Sequence, residues 1–139
     1  MTILVVTAAV IERAGEFLVT RRQKGVHLEG LWEFPGGKCD PGETLTACLA
    51  RELKEELDVE ARIGREVHTV THAYPERSVE LHFFQCALIG DPRPLVGQEM
   101  RWVRREDLSS LEFPPADAEL MERLSRSEAT SPAPPPRPR

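Results

Sequence analysis

No stretch of this sequence stays apolar for anything near the ~20 residues that a membrane-spanning helix requires, so no span is expected. A basic surplus is also missing. The 23 acids outnumber the 18 lysines and arginines and leave a formal net charge of −5 at pH 7. That balance argues against broad binding to a nucleic acid polymer or to an anionic membrane surface. An anionic ligand would need metal ions or a local cluster of bases to offset the field. Cysteine is scarce: Cys39, Cys48 and Cys86 form neither a C-x-x-C metal pattern nor an even disulfide framework. The expectation is three reduced thiols, used in packing, in a cytoplasmic protein. The opening "MTILVVTAAVIERAGEFLV" has no basic segment ahead of its apolar run, so no secretory signal is expected either. What remains, 139 residues with 40% hydrophobic and 29% charged content, suits one soluble domain with a real core.

The pattern along the chain mixes strands with two helices. Ile3 to Ile11 is rich in β-branched and small apolar residues, as in a buried strand, and "ERAG" is a hairpin turn returning through "EFLVTRR". Residues 23 to 43 are loop, rich in glycine and interrupted by the short "LWEF". Thr44 follows a Pro41-Gly42 turn as the N-cap of a helix running to about Leu57. "ARIGREVHTVTHAY" and "SVELHFFQCALIG" read as two strands joined by a "PER" turn, and "EMRWVRRED" as a further short strand. "PPADAELMERLSR" is a proline-led amphipathic helix. From Ser127 the composition shifts to "SEATSPAPPPRPR", a disordered or polyproline-like tail with a weak PxxP character. The domain is therefore expected over residues 1–126 and the tail over 127–139. The fold class is α/β (α+β) around a mixed sheet.

The central helix carries the informative charges. Leu45, Leu49, Leu53 and Leu57 follow one stripe at i, i+4 spacing, which faces a core. Glu52, Glu55 and Glu56 are three and four apart and share an arc of about 100°, where like charges repel by a few tenths of a kcal/mol per exposed pair. A hard divalent cation such as Mg²⁺ resolves that conflict by drawing the carboxylate oxygens around itself. Arg51 is expected to point away from this cluster and to hold Glu43, in the preceding loop, by a bidentate pair.

Gly37, Glu43, Arg51, Glu52, Leu53, Glu55, Glu56 and Val59 fit the pattern G-x5-E-x7-R-E-U-x-E-E-x-G-U, with U a bulky aliphatic residue. On those residues the chain resembles the Nudix hydrolases. One position departs: the second glycine of the box is Asp58, which tolerates positive φ better than most non-glycine residues. "TRRQKG", "LWEFPGGK", "YPER", "GQEMRWV" and "FPPAD" extend the similarity to about residues 3–126, and they look closest to the MutT branch and its relatives acting on cytidine nucleotides.

The resemblance implies a Nudix fold, with a mixed sheet between helices and the box forming a loop–helix–loop. It also implies hydrolysis of a nucleoside triphosphate to monophosphate and pyrophosphate with Mg²⁺ or Mn²⁺, as in sanitation of 8-oxo-dGTP. Carried across by position, the metal ligands would be Glu52, Glu55, Glu56 and the Gly37 carbonyl, with Glu99 a candidate extra acid. Glu52 would be the base, with Glu56 the alternative, and Arg51 and Glu43 would support the box. Arg22, Lys38 and Arg77 match cationic positions; Phe34 and Asp117 match positions that contact the base. The alternatives are a (d)CTP or broader nucleotide pyrophosphatase and, from another class, a non-catalytic nucleotide sensor. A monomer or small homo-oligomer fits either.

Overall fold

The computed structural model describes residues 3–130. β1 (Ile3–Arg13) and β2 (Glu16–Arg21) form the first hairpin, followed by β3 (Trp32–Glu33) and β4 (Gly36–Lys38). α1 (Leu45–Leu57) comes next, then β5 (Glu60–Ala73), β6 (Ser78–Ile89), β7 (Met100–Arg104) and α2 (Ala118–Thr130). Short 3₁₀ turns cover Arg105–Ser110 and Pro115–Asp117. The hairpin turn is the expected one: Ala14 and Gly15 both take positive φ, 54° and 82°, which matches the twist of the flanking strands.

β1 organises the sheet. It runs parallel to β6 from Ile3 to Ile11 and antiparallel to β4 from Val6 to Ala8, and its end pairs with β2. β2 pairs in turn with β3 and β7, while β5 lies antiparallel to β6 at the far edge. The sheet is thus mixed, as expected. The alternation along β1 divides the core between two faces. Ala8 and Val10 pack with Phe17, Val19, Phe83 and Leu120 of α2; Ala9 and Ile11 pack with Leu18, Phe84 and the α1 stripe. Helices therefore cover both faces.

α1 begins and ends where its local chemistry dictates. The Thr44 hydroxyl accepts from the Ala47 N–H at 3.2 Å, satisfying one of the orphan donors of the first turn. At the other end Asp58 adopts the left-handed conformation, φ 52° and ψ 45°, and its N–H returns to the Lys54 carbonyl. Aspartate thus performs the backbone task of the missing glycine, and its carboxylate pairs with Arg93. α2 continues through Thr130, past Ser127 where the tail was expected to begin. The remainder of the expected tail, residues 131–139 with the PxxP stretch, lies outside the described residues. No helix among the described residues is long and apolar enough to cross a membrane.

Leu53 is 1% exposed and anchors α1 to the sheet. Leu53→Ala should cost about 2–5 kcal/mol of unfolding free energy through lost burial and a residual cavity. Urea denaturation of the two proteins measures it; an effect below about 1 kcal/mol would mean that α1 is not held by its leucine stripe.

Candidate active site

Glycine at position 37 is required by a close approach. A Cβ built there would lie 2.2 Å from Glu52 Oε1 and 2.4 Å from Glu52 Cδ, so a side chain would push the carboxylate out of place. β4 and α1 therefore meet with the Glu52 carboxylate laid against bare backbone.

Arg51 holds the other side of that junction. Nε and Nη2 make the bidentate pair with Glu43, at 2.7 and 2.9 Å, and Nη2 also donates to the Lys38 carbonyl at 3.0 Å. The expectation that Arg51 points away from the acidic cluster is wrong. Nη1 donates to Glu52 at 2.9 Å and to Glu55 at 3.2 Å. Glu55 lies one turn on, at i+4, and the guanidinium spans from the loop to the helix surface. Hydrogen bonds from Arg51 and from the Asp40 N–H hold the Glu43 carboxyl down at about 2. Arg51 itself is shifted upward, above all by its bonds to Glu43.

A cleft of about 620 Å³ opens beside this junction. Glu52 and Glu56 line it from α1, Gly37 and Lys38 from β4, and Arg22, Phe34, Arg77 and Asp117 from elsewhere in the chain. These are eight of the residues singled out in the sequence, brought together from widely separated segments. Lys38 is exposed and Arg77 partly buried in the β5–β6 turn, where Tyr74 and Arg77 exchange backbone hydrogen bonds. Phe34 is both core and cleft wall: 3% exposed, it packs edge-on against Phe83 and tilted against Phe113.

Two expected ligands fall outside. Glu55 is exposed on the Arg51 side and does not line the cleft. Glu99 is also absent from its walls; its carboxylate bridges Arg21 and Arg101 on the surface, at 3.4 and 3.0 Å, and those pairs lower its pKa. Glu99 therefore does not join the box carboxylates. Sequence reading missed Glu33, His27 and Tyr74. Glu33 pairs with Arg22 at 2.8 Å inside the cleft, yet burial outweighs that pairing and raises its pKa. Its strand "WE" gave no hint, because an acid on a two-residue strand reads as solvent-facing.

The cleft concentrates acids that resist ionisation. Burial pushes Glu56 up to about 8, helped by the charges of Glu52 and Glu33 and by a hydrogen bond with Glu52. Burial likewise raises Asp117 to about 7, with Glu33 adding to the rise and Arg22 opposing it. Asp117 is 4% exposed.

The family model described as NUDIX domain matches residues 6–123, most of the chain. The chain belongs to the Nudix family. It is 34% identical to the CTP pyrophosphohydrolase of Escherichia coli K12, over 96% of this chain and 99% of that relative. It is 36% identical to the 8-oxo-dGTP diphosphatase of Haemophilus influenzae, over 88% and 91%. Among solved structures it resembles the E. coli ORF135 protein, with a TM-score of 0.83, 34% identity and 96% of both chains covered. A MutT protein from Methanosarcina mazei Go1 aligns with a TM-score of 0.80 at 28% identity, covering 91% of this chain and 95% of that one. As a Nudix hydrolase the chain acts on phosphoric anhydrides.

Within the Nudix box the structure corrects the reading of the cysteines. Cys39 and Cys48 form a disulfide, and only Cys86 is free. A spacing of nine residues carries no pairing signal by itself. The chain between them doubles back through the Pro41-Gly42 turn, so the loop end and the first turn of α1 face each other. Reduced thiols no longer support a cytoplasmic setting. The two sulfurs and the Glu43 carboxylate lie within 4.8 Å of one another, but sulfurs bonded to each other have no thiolate to offer a metal.

A Nudix metal fits the remaining donors. Glu52, Glu56 and the Gly37 backbone present only oxygen, which suits a hard divalent cation, and burial, joined by the charges of Glu52 and Glu33, makes Glu56 a carboxylate that a cation would help to ionise.

Asp117 makes a stability prediction. A folded pKa of about 7 against 3.8 means the folded chain binds more protons than the unfolded one between those values. Stability should fall as pH rises through that window and then level off. Asp117→Asn does not titrate, so its advantage over wild type should grow by a few kcal/mol from pH 4 to pH 8. Urea unfolding in EDTA at both pH values reads it; a constant difference would mean that Asp117 ionises freely in the folded protein.

Proposed function

We propose that this Nudix hydrolase converts a nucleoside triphosphate to the monophosphate and pyrophosphate with Mg²⁺ or Mn²⁺, and that it accepts both 8-oxo-dGTP and cytidine nucleotides. The observation that carries the reading is one cleft holding the Glu52–Glu56–Gly37 oxygen set together with the buried Asp117. The names of the two relatives, a CTP pyrophosphohydrolase and an 8-oxo-dGTP diphosphatase, support the substrate class. A cytoplasmic setting fits such substrates.

In this reading Glu52, Glu56 and the Gly37 carbonyl hold the metal, and Glu55 joins only by leaving Arg51. When bound, the metal polarises the phosphate and lowers the pKa of water. Glu52 takes the proton of the attacking water, with Glu56 the alternative, while Arg51 and Glu43 fix the loop and helix that carry them. Lys38 and Arg77 offset the triphosphate charge at the cleft wall. Arg22 has less to give, because its guanidinium already serves Glu33 and the His27 carbonyl. Phe34 supplies an apolar wall for the base. A non-catalytic nucleotide sensor is the weaker reading, since mere binding does not call for so costly a set of buried acids.

With Mg²⁺ the protein should release pyrophosphate, and EDTA should abolish turnover. Glu52→Gln keeps the side-chain shape but loses the charge, and should lower kcat by at least about 10²-fold. Orthophosphate as product, or near-normal turnover in Glu52→Gln, would overturn the mechanism.

Asp117 reads the base. Ionised, it only accepts hydrogen bonds, and it favours edges rich in N–H: N4 of cytosine, N6 of adenine, or N1, N2 and N7 of 8-oxoguanine. Protonated, it also donates, much as an asparagine does. Because its pKa is raised to about 7, selection should change with pH. At pH 6 wild type and Asp117→Asn should rank a panel of 8-oxo-dGTP, dCTP, dATP and dTTP alike. At pH 8 their relative kcat/KM values should diverge by about 1–3 kcal/mol, with dTTP poorest for wild type. The same ranking for both proteins at both pH values would remove Asp117 from base selection.

A further inference from the structure

Outside the metal-binding carboxylates, the box holds a second chemical group: two cysteines joined across the loop that Arg51 also secures. Cys39 follows β4 directly, is partly exposed, and is pinned to β1 by its N–H bond to the Val5 carbonyl at 2.9 Å. Cys48 sits on the first turn of α1, 0% exposed, with Sγ 3.3 Å from the Thr7 hydroxyl. Their Cα atoms are 5.2 Å apart, inside the span a disulfide needs. The eight residues between them carry the Pro41-Gly42 turn, Glu43 and the Thr44 cap. The bond therefore closes a small ring around the segment that presents Glu43 to Arg51.

We propose that Cys39 and Cys48 are a thiol–disulfide exchange site, taking a low-molecular-weight disulfide of the glutathione class, and that its state sets the order of the loop carrying Glu43. Two tethers then act on one segment. The Arg51–Glu43 pair and the Arg51–Lys38 carbonyl bond operate in both states, and the covalent tether in one. The exchange balances in two steps. The thiolate of Cys39, the accessible member, attacks one sulfur of the small disulfide and expels a small thiol. Cys48 then loses its proton and attacks the Cys39 sulfur, expelling the second. Two protein thiols and one small disulfide become one protein disulfide and two small thiols. Cys86 takes no part: it is 6% exposed, and burial pushes its thiol up to about 12, where the thiolate that must attack is scarce.

The proposal rests on the Nudix reading only for its consequence to catalysis, and its test needs no hydrolysis. The full-length protein is equilibrated in glutathione buffers from reducing to oxidising, quenched with an alkylating agent, and digested with trypsin and a Glu-specific protease. Trypsin alone leaves Cys39 to Arg51 as one peptide; cleavage after Glu43 separates the two cysteines unless the disulfide joins them. The joined fragments should appear across the series while Cys86 stays alkylatable after unfolding. Amide hydrogen exchange between Asp40 and Cys48 should be at least about 10-fold slower in the oxidised protein. The tethers should also be coupled: Glu43→Gln should speed that exchange about 3-fold or more beyond its effect in the oxidised form when the protein is reduced. Cys39→Ser, altering the partly exposed member, should match the reduced wild type and ignore the buffer. Cys39 and Cys48 remaining alkylatable throughout would overturn the site. Equal exchange in the two states, or equal effects of Glu43→Gln, would overturn its control of the loop, and neither result depends on whether nucleotides are cleaved.

Discussion

The site depends on one guanidinium having no donor left over. Arg51 has five N–H groups, and the structure gives it five acceptors: both oxygens of Glu43, the Lys38 carbonyl, Glu52 and Glu55. Three of these lie in the segment ahead of α1 and two on α1 itself. The planar fork thus fixes the angle between β4 and the helix while it neutralises carboxylates that would otherwise repel each other. A lysine has three donors around a single point and could not reach the loop carboxylate, the loop carbonyl and the helix acids together. Everything that the cleft requires of Glu52 follows from that geometry, because Gly37 leaves room for the carboxylate and Arg51 holds it there.

Electrostatics then grades the cleft. Arg51 serves its outer edge, whereas Glu56, Glu33 and Asp117 share the interior with Arg22 as the nearby base. Each of the three is pushed toward its protonated form, mainly by desolvation. Such a row is unfavourable to an anionic ligand unless cations arrive with it. A net charge of −5 makes the same demand at the scale of the whole chain. Lys38 and Arg77 are placed where a phosphate chain could meet them, but two bases do not offset a triphosphate. A divalent ion held by Glu52, Glu56 and the Gly37 carbonyl would supply the positive charge that the cleft lacks, beside the carboxylate that burial and its acidic neighbours raise most.

Much of this was legible in the sequence because it rests on spacing. The leucine stripe, the Thr44 cap, the hairpin at Ala14-Gly15 and the positive φ of Asp58 are all local properties, and local chemistry decided them. Five residues expected to meet substrate, Arg22, Phe34, Lys38, Arg77 and Asp117, do share one cleft. What failed depended on direction or on partners distant in sequence. The helical arc placed Arg51 apart from the glutamates, yet a long flexible stem returns its head to them. Glu99 was a candidate on the resemblance alone, and Arg21 and Arg101 claim its carboxylate. Glu33 acquires its meaning only from Arg22, eleven residues earlier. The Cys39–Cys48 bond needs the loop to reverse, which no cysteine count can reveal.

The departure at Asp58 shows how the box separates its backbone duties from its chemical ones. A glycine at the end of a helix supplies positive φ and nothing else. Asp58 supplies the same backbone and adds a carboxylate, which in principle could join the acids of α1 and disturb them. It does not, because the left-handed turn sends the side chain toward Arg93, in the segment after β6, where the pairing also lowers its pKa. The same segment returns two backbone N–H groups, from Arg93 and Leu95, to the carbonyls of Leu57 and Glu56. The last turn of α1 is thereby satisfied from outside the helix. Position 37 has no such freedom, since any Cβ there meets the Glu52 carboxylate itself. The two glycines of the pattern thus answer to different constraints: one is a torsion that another residue can supply at the cost of strain, and the other is a volume that a side chain could enter only by moving the Glu52 carboxylate.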